Sequence, residues 1–151
     1  MRIIQRKKYR GTAYGEFEFI VKKMYSINAI KKAHETPLTK NQASNLLKKL
    51  SKRYLNNENT LKLKWIKTGK WNLGGIDFIE GKRIPTVELH SDKKNEKKGI
   101  FGLRAGIVLH EFSHALANYH SRRLSRGEGH GREFIKTFNK VLKFYNRKIV
   151  K

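Results

Sequence analysis

The chain has 151 residues, which is enough for one domain that buries a hydrophobic core without disulfides. It holds 35 lysines and arginines against 12 acidic residues, so its formal net charge is +23. This charge favours a polyanionic partner, nucleic acid before an anionic membrane. The alternative is that the lysines are only solvated and bind no partner. Cysteine is absent, which excludes disulfides and thiolate ligands, so any metal must be bound by His, Asp or Glu.

Targeting and membrane segments are not expected in this sequence. Met1 to Arg10 is basic, but no apolar stretch of the signal-peptide kind follows it. The run Gly99 to Leu109 looks apolar, yet it is too short to span a bilayer and contains Arg104. We therefore expect a cytoplasmic or nucleoid- or nucleus-associated protein that is not secreted and does not bind membranes.

The first part of the chain, residues 1–37, carries no catalytic motif and is interpreted as an N-terminal extension of unclear role. A short helix is possible within Lys22 to Ala33, and His34 is expected to be a surface side chain. Pro37 ends this part. The second part, residues 38–151, is predicted to form the functional domain.

A helix is predicted from Lys40 to Leu55. Thr39 and Gln42 form the spacing of a capping box, in which each side chain bonds the backbone N–H of the other residue. Apolar residues then recur at helical spacing, and they are Ala43, Leu46, Leu47, Leu50 and Tyr54. The opposite face is basic, with Lys48, Lys49, Lys52 and Arg53.

A three-stranded, mainly antiparallel sheet is predicted next, because three strand-like runs follow in order: Leu61–Ile66, Trp71–Ile79 and Ile84–His90. Glu80-Gly81-Lys82 predicts the turn between the second and third strands. The pair Gly74-Gly75 indicates a bulge or bend. Pro85 is tolerable if the third strand lies at an edge of the sheet.

A second strong helical pattern extends from about Leu103 to Tyr119 and contains His110-Glu111-x-x-His114. Two histidines four residues apart project from one face of a helix, so two neutral imidazoles can bind one Zn²⁺ from the same side. A last amphipathic helix is predicted from about Arg132. The elements together predict an α+β domain in which a helix, the sheet, the metal-binding helix and a C-terminal helix follow one another.

A catalytic zinc site needs three protein ligands and an open position for water. His110 and His114 supply two ligands, and Glu111 is predicted to be the general base that takes a proton from a zinc-bound water. Chance can place such a motif on an ordinary amphipathic helix, and a bound metal can also be structural. A Glu beside the open position argues for catalysis.

Two histidines are candidates for the third ligand. His120 gives the spacing of metzincins, but Ala117 occupies the position where that pattern has a glycine that turns the chain. His130 has glycine on both sides, in Gly129-His130-Gly131, and glycine lets the backbone turn and approach closely. We therefore predict His130 as the third ligand.

The combination of His110-Glu111-x-x-His114-Ala115 with Gly129-His130-Gly131-x-Glu133-Phe134 resembles the SprT-like zinc metallopeptidases, which include the Spartan proteases that cut proteins crosslinked to DNA. The resemblance covers roughly Thr39 to Tyr145. It implies a small zincin-like domain, zinc ligands at His110, His114 and His130, and Glu111 as general base. The cysteine-bearing zinc ribbon of some relatives is missing here, so DNA contact would have to come from the domain's own basic surface.

This resemblance leads us to expect an endopeptidase that acts on DNA-associated proteins and binds DNA, single-stranded more than double-stranded, without sequence specificity. Ile84–His90 is the candidate edge strand for an extended substrate. His90 and Tyr119 are candidate oxyanion stabilisers, with an ordinary strand-end histidine as the other interpretation of His90. Two alternative functions remain: a basic nucleic-acid-binding module with a structural zinc, and a peptidase with no nucleic-acid role.

Overall fold

The structure is a computed structural model that describes residues 27–55, 61–66, 72–91, 103–120 and 132–149. These residues form an α+β fold, as the sequence predicts. The helices are α1 (Ile27–Glu35), α2 (Lys40–Leu55), α3 (Ala105–His120) and α4 (Arg132–Phe144), and a π-helical turn, Tyr145–Ile149, continues α4. The strands are β1 (Lys62–Ile66), β2 (Leu73–Ile79) and β3 (Lys82–His90).

Helix α2 begins at the predicted capping box. The backbone N–H of Thr39 donates to Gln42 Oε1 at 2.8 Å, and the backbone N–H of Gln42 donates to Thr39 Oγ1 at 3.1 Å. These two bonds satisfy donors that a helix N-terminus otherwise leaves without an intrahelical partner. The predicted apolar face is confirmed, because α2 buries Ala43, Leu46, Leu47 and Leu50, and Tyr54 packs half-buried against the core. The helix also buries one polar side chain, Ser51.

Strands β2 and β3 form an antiparallel hairpin with a two-residue turn. Glu80 and Gly81 both have positive φ, 52° and 78°, as a type I′ turn requires, and the last pair of the ladder is Ile79 with Lys82. The predicted turn at this place is confirmed. The register continues without interruption to Leu73 opposite Glu88, so of the two alternatives predicted at Gly74-Gly75, a bulge or a bend, the bulge is wrong.

The sheet is mixed rather than mainly antiparallel, because β1 pairs with β3 in parallel and the strand order is β1-β3-β2. Alternation of side chains is the same in both kinds of pairing, so the sequence pattern could not distinguish them. The order also corrects the predicted edge strand. Ile84–His90 belongs to the central strand β3, and among the described residues the outer strands of the sheet are β1 on one side and β2 on the other.

Pro85 is therefore in a central strand and not at a sheet edge. It lies opposite Ile76 of β2, and the described pairing of β3 with β1 begins one residue later, at Thr86. A proline cannot donate a ladder hydrogen bond. It is tolerated here because it precedes the first pair with β1.

Helix α3 occupies the centre of the described fold. It packs on β2 and β3 of the sheet and, from other directions, on α1, α2 and α4. Eleven of its sixteen residues are buried, including the wholly buried Val108, Leu109 and Phe112. None of the described helices is both long and apolar enough to cross a membrane.

Helix α1 lies within the stretch interpreted as an N-terminal extension, yet it contributes Ile30 and Ala33 to the same core as the rest of the chain. The segment after α1 is bonded to the segment before α3. The N–H of Ala105 donates to the carbonyl of Thr36 at 2.9 Å, and the N–H of Leu38 donates to the carbonyl of Leu103 at 3.0 Å. The hydrophobic core therefore begins before residue 38.

His34 is at the contact between α1 and α3 and not on the surface, which corrects the prediction. Its ring faces Gly106 so closely that a Cβ added to that glycine would lie 2.6 Å from His34 Cε1. Its Nδ1 lies 3.1 Å from the carbonyl oxygen of Ile30, and its Nε2 is shielded from solvent. Burial lowers the pKa of His34 from 6.5 to about 4, against the opposite effect of the Ile30 hydrogen bond.

We expect His34 to make the protein less stable in acid. The folded protein keeps this imidazole neutral down to about pH 4, whereas the unfolded chain takes up the proton below pH 6.5. The free energy of unfolding should therefore fall as the pH falls through this window, by about 3 kcal/mol once both states are protonated. Urea unfolding of wild type and His34→Gln between pH 7.5 and 4, with a chelator present, measures this contribution.

The control is His120→Gln, because His120 is exposed at the end of α3. That variant should keep the wild-type pH dependence, while His34→Gln should show a flatter one. An unchanged pH dependence in His34→Gln would show that His34 is not the group responsible.

Candidate metal centre

His110 and His114 lie on one face of α3, one turn apart, and their ring nitrogens converge. The two Nε2 atoms are 3.2 Å apart, and the ring centroids are 4.9 Å apart. Two ligands of a tetrahedral zinc ion at 2.0–2.1 Å are separated by about 3.3 Å. The spacing of this donor pair thus fits two positions of a tetrahedral zinc site.

Glu111 completes a compact group with the two histidines. One carboxylate oxygen and the two imidazole nitrogens all lie within 4.8 Å of one another. Glu111 and His110 are each 8% exposed and His114 is half-buried, so the group is largely shielded from water. In the part of the chain that the structure describes, it is the one cluster of three potential ligands with such spacing.

Both ends of α3 are fixed by contacts with other elements. The bond from Ala105 N–H to the Thr36 carbonyl satisfies a donor at its N-terminus. At the other end, Arg83 of β3 donates from Nη2 to the carbonyl of Asn118 at 2.6 Å. A cation at the last carbonyls of a helix is favourable for the helix dipole. These contacts, together with burial, hold the turn that carries the three site residues.

Two phenylalanines of α4 pack against the histidine rings. The Phe134 ring stacks on His114, with centroids 4.1 Å apart and an angle of 25°, and it also lies 5.0 Å from the ring of His110. The Phe138 ring meets His110 edge-on at 5.8 Å. In the sequence, Phe134 belongs to the second motif and Phe138 to the final amphipathic helix, and neither was predicted to contact the ligands. They also restrict the orientation of both imidazoles and make one wall of the site apolar.

The competing third ligand, His120, does not join the group. It lies at the exposed end of α3, and its ring meets that of Tyr119 at 5.5 Å. The predicted third ligand, His130, lies outside the described residues and stays a prediction. The sequence places it four residues before Phe134, whose ring is against both described ligands.

His90, a candidate oxyanion stabiliser, is wholly buried at the end of β3 and is not part of the group. Its backbone N–H donates to Asn72 Oδ1 at 2.8 Å. Tyr119, the other candidate, is half-buried on α3 beside His120.

Sequence reasoning missed one residue of the site, Gly74 of β2. A Cβ added at this position would overlap the backbone carbonyl of Glu111 and would lie 2.8 Å from His114 Cβ. The strand backbone therefore touches the helix at the turn that carries the site. Glycine inside a strand marks either a bulge or a close approach of another backbone, and the sequence alone did not choose between them.

We expect His110→Ala and His114→Ala each to lower zinc affinity by more than roughly 100-fold. Loss of a residue that only hydrogen-bonds to a ligand typically costs up to about 100-fold in affinity, and these variants remove a ligand itself. His130→Ala should have a similar effect if it supplies the third ligand. His120→Ala is the matched control and should bind zinc as wild type does. Equilibrium dialysis with metal analysis measures all four variants.

Metal loss in His120→Ala with metal retained in His130→Ala would contradict the choice of third ligand. Full zinc binding in both His110→Ala and His114→Ala would contradict the site itself.

Comparisons of the chain with protein-family models, with curated proteins and with solved structures found no match. The case for a metal centre therefore depends on the geometry of His110, Glu111 and His114. The resemblance to the SprT-like family depends on the two sequence motifs, of which the structure describes the first.

Proposed function

We propose that this protein is a zinc-dependent endopeptidase of the SprT-like type, with a zincin-like fold. The observation that carries the proposal is the convergence of the His110 and His114 Nε2 atoms at 3.2 Å beside the Glu111 carboxylate, on a helix held by the core. Imidazole nitrogens are ordinary zinc ligands, and the donor set contains no thiolate that would favour a closed structural site.

In this proposal His110, His114 and His130 hold the zinc ion, and Glu111 does the proton chemistry. Zinc, when bound, supplies Lewis acidity that polarises a peptide carbonyl and makes water acidic enough to react near neutral pH. The Glu111 carboxylate accepts the proton of the attacking water and returns it to the leaving amine. The apolar wall formed by Phe134 and Phe138 keeps bulk water away from one side and strengthens these electrostatic interactions.

The substrate backbone is proposed to add to β2, which is an outer strand of the sheet that the described residues form and which packs directly on α3. This replaces the predicted role of Ile84–His90, because β3 is paired on both sides. Leu73, Phe78 and Ile79 of β2 are large apolar side chains that remain exposed. An extended peptide beside β2 would gain main-chain hydrogen bonds and contacts with these side chains.

Glu111→Gln is expected to keep zinc and lose cleavage. The amide has nearly the shape of the carboxylate but cannot take a proton, so the rate should fall by about 10²–10⁴-fold, the usual contribution of general acid–base catalysis. Cleavage of dye-labelled casein by the zinc-loaded protein gives the rate, and metal analysis gives the zinc content. Wild-type cleavage by Glu111→Gln would show that this carboxylate is not the base.

The basic surface of α2 and α4 is the proposed contact for DNA. Helix α2 contains no acidic residue, and its exposed side chains include Lys48, Lys49, Lys52 and Arg53. The two helices meet where the Tyr54 hydroxyl donates to the Lys140 carbonyl at 3.0 Å and Arg53 lies 5.4 Å from the ring centroid of Phe144. The exposed lysines of α4, which include Lys136, Lys140 and Lys143, therefore belong to a surface adjacent to that of α2.

Charge carries this part of the proposal, and base stacking does not. Tyr54 and Trp65 have rings of the kind that stack on bases, but both are packed against the core. Trp71 lies outside the described residues. A charge-driven contact binds phosphates without reading the sequence, and its affinity falls steeply with salt.

Replacement of Lys48, Lys49 and Lys52 by Gln is expected to weaken binding of a single-stranded oligonucleotide. It should also make the slope of log affinity against log salt concentration shallower by about 2, since each lost phosphate contact removes about 0.7. Fluorescence anisotropy from 50 to 200 mM salt measures the slope. The matched control removes three exposed lysines elsewhere, Lys31, Lys32 and Lys82. Equal slopes for the two triple variants would remove the α2 surface as the contact.

Two alternative functions can be distinguished from a DNA-associated endopeptidase, one by the position of Glu111 and the other by the effect of DNA on cleavage. A basic binding module with a structural zinc has no use for a carboxylate beside the ligands, and the placement of Glu111 speaks against it. A peptidase with no nucleic-acid role would cleave equally well with and without single-stranded DNA.

A further inference from the structure

The contact between Gly74 and α3 brings two backbones together without any side chain between them. A Cβ at position 74 would lie 2.7 Å from the carbonyl carbon of Glu111, closer still to its oxygen, and 2.8 Å from His114 Cβ. Non-bonded contacts of a Cβ under 3.0 Å are essentially never seen. Any larger residue at this position must therefore increase the distance between β2 and the helix.

The two elements differ in how easily they can move. Helix α3 is packed on both β2 and β3 and on α1, α2 and α4, and hydrogen bonds fix its two ends at Ala105 and Asn118. Strand β2 has β3 as its one neighbour in the described sheet. Extra volume at position 74 would consequently displace β2, while the helix turn with His110, Glu111 and His114 keeps its place.

We propose that Gly74 is a positioning residue that sets the distance between the substrate-binding edge of β2 and the catalytic turn of α3. This inference rests on the proposed peptidase function. The position of β2 determines the position of a peptide that pairs with it. The scissile carbonyl of that peptide reaches Glu111 and the metal ligands only when β2 lies as close to α3 as it does here. Misplacement by about 1 Å can cost about 100-fold in rate.

Gly75 provides a matched control in the next position of the strand. A Cβ added at Gly75 meets nothing within 4 Å, and successive residues of a strand face opposite sides of the sheet. Gly74→Ala and Gly75→Ala therefore make the same chemical change in the same strand. They differ in whether the new methyl group pushes against the helix.

The experiment measures kcat, KM, zinc content and melting temperature for wild type and both variants, with Glu111→Gln as the blank and dye-labelled casein as the substrate. We expect Gly74→Ala to bind zinc like wild type and to cleave about 100-fold more slowly. We expect Gly75→Ala to lose much less activity than Gly74→Ala, because its new methyl group does not push against the helix. Equal activities of Gly74→Ala and Gly75→Ala overturn the proposal. Loss of zinc in Gly74→Ala also overturns it, because the glycine would then act on the metal helix.

A second measurement uses the wild-type protein and does not depend on the folding of Gly74→Ala. Hydrogen exchange of the β2 amides is compared with a peptide hydroxamate bound, with acetohydroxamate bound, and with neither. We expect the peptide compound alone to slow exchange in β2, since only it can extend along the strand. Absence of that protection overturns the assignment of β2 as the substrate strand. A wild-type protein that binds zinc and cleaves nothing overturns the proposed function itself, which the failure of Gly74→Ala alone does not.

Discussion

The candidate site depends on the burial of α3 between a sheet and three helices. A helix enclosed in this way cannot rotate, so the direction of each side chain is set by its place in the sequence. His110 and His114 therefore converge on one point, and Glu111 stays beside them. The same packing brings Phe134 against both imidazole rings. The site residues are thus part of the hydrophobic core, and substitutions in the core should change the positions of the ligand side chains.

The sheet contributes to the site through the order of its strands. The tight turn at Glu80 and Gly81 makes β2 and β3 a hairpin, and β1 joins the far side of β3 in parallel. In the part of the chain that the structure describes, this leaves β2 at an edge, in contact with the helix that carries the histidines. The exposed Leu73, Phe78 and Ile79 would be a liability on an ordinary edge strand, because such edges invite pairing with other chains. Their presence is understandable if pairing with an extended peptide is what the strand is for.

Residues 27–37 are part of this arrangement. Ile30 and Ala33 close the core over the beginning of α3, and backbone bonds from residues 36 and 38 hold the chain just before that helix. His34 and Gly106 pack face to face, so the chain has a glycine where the helix meets a ring and another, Gly74, where it meets a strand. Gly106, in α3, allows α1 to approach this helix closely, and Gly74, in β2, allows the strand to do so.

The sequence alone determined the features that local rules control. Helical spacing gave the amphipathic α2 and the pairing of His110 with His114, the Thr39–Gln42 box gave the start of α2, and turn chemistry gave the hairpin. The tertiary structure decided the mixed sheet, the outer position of β2 among the described strands, the burial of His34 and the close approach of Gly74 to α3. The alternation of side chains along a strand does not show whether the neighbouring strand is parallel or antiparallel. A glycine in the sequence does not show which element packs against it. These properties depend on which elements pack against one another, and that packing is determined by residues that are far apart in the chain.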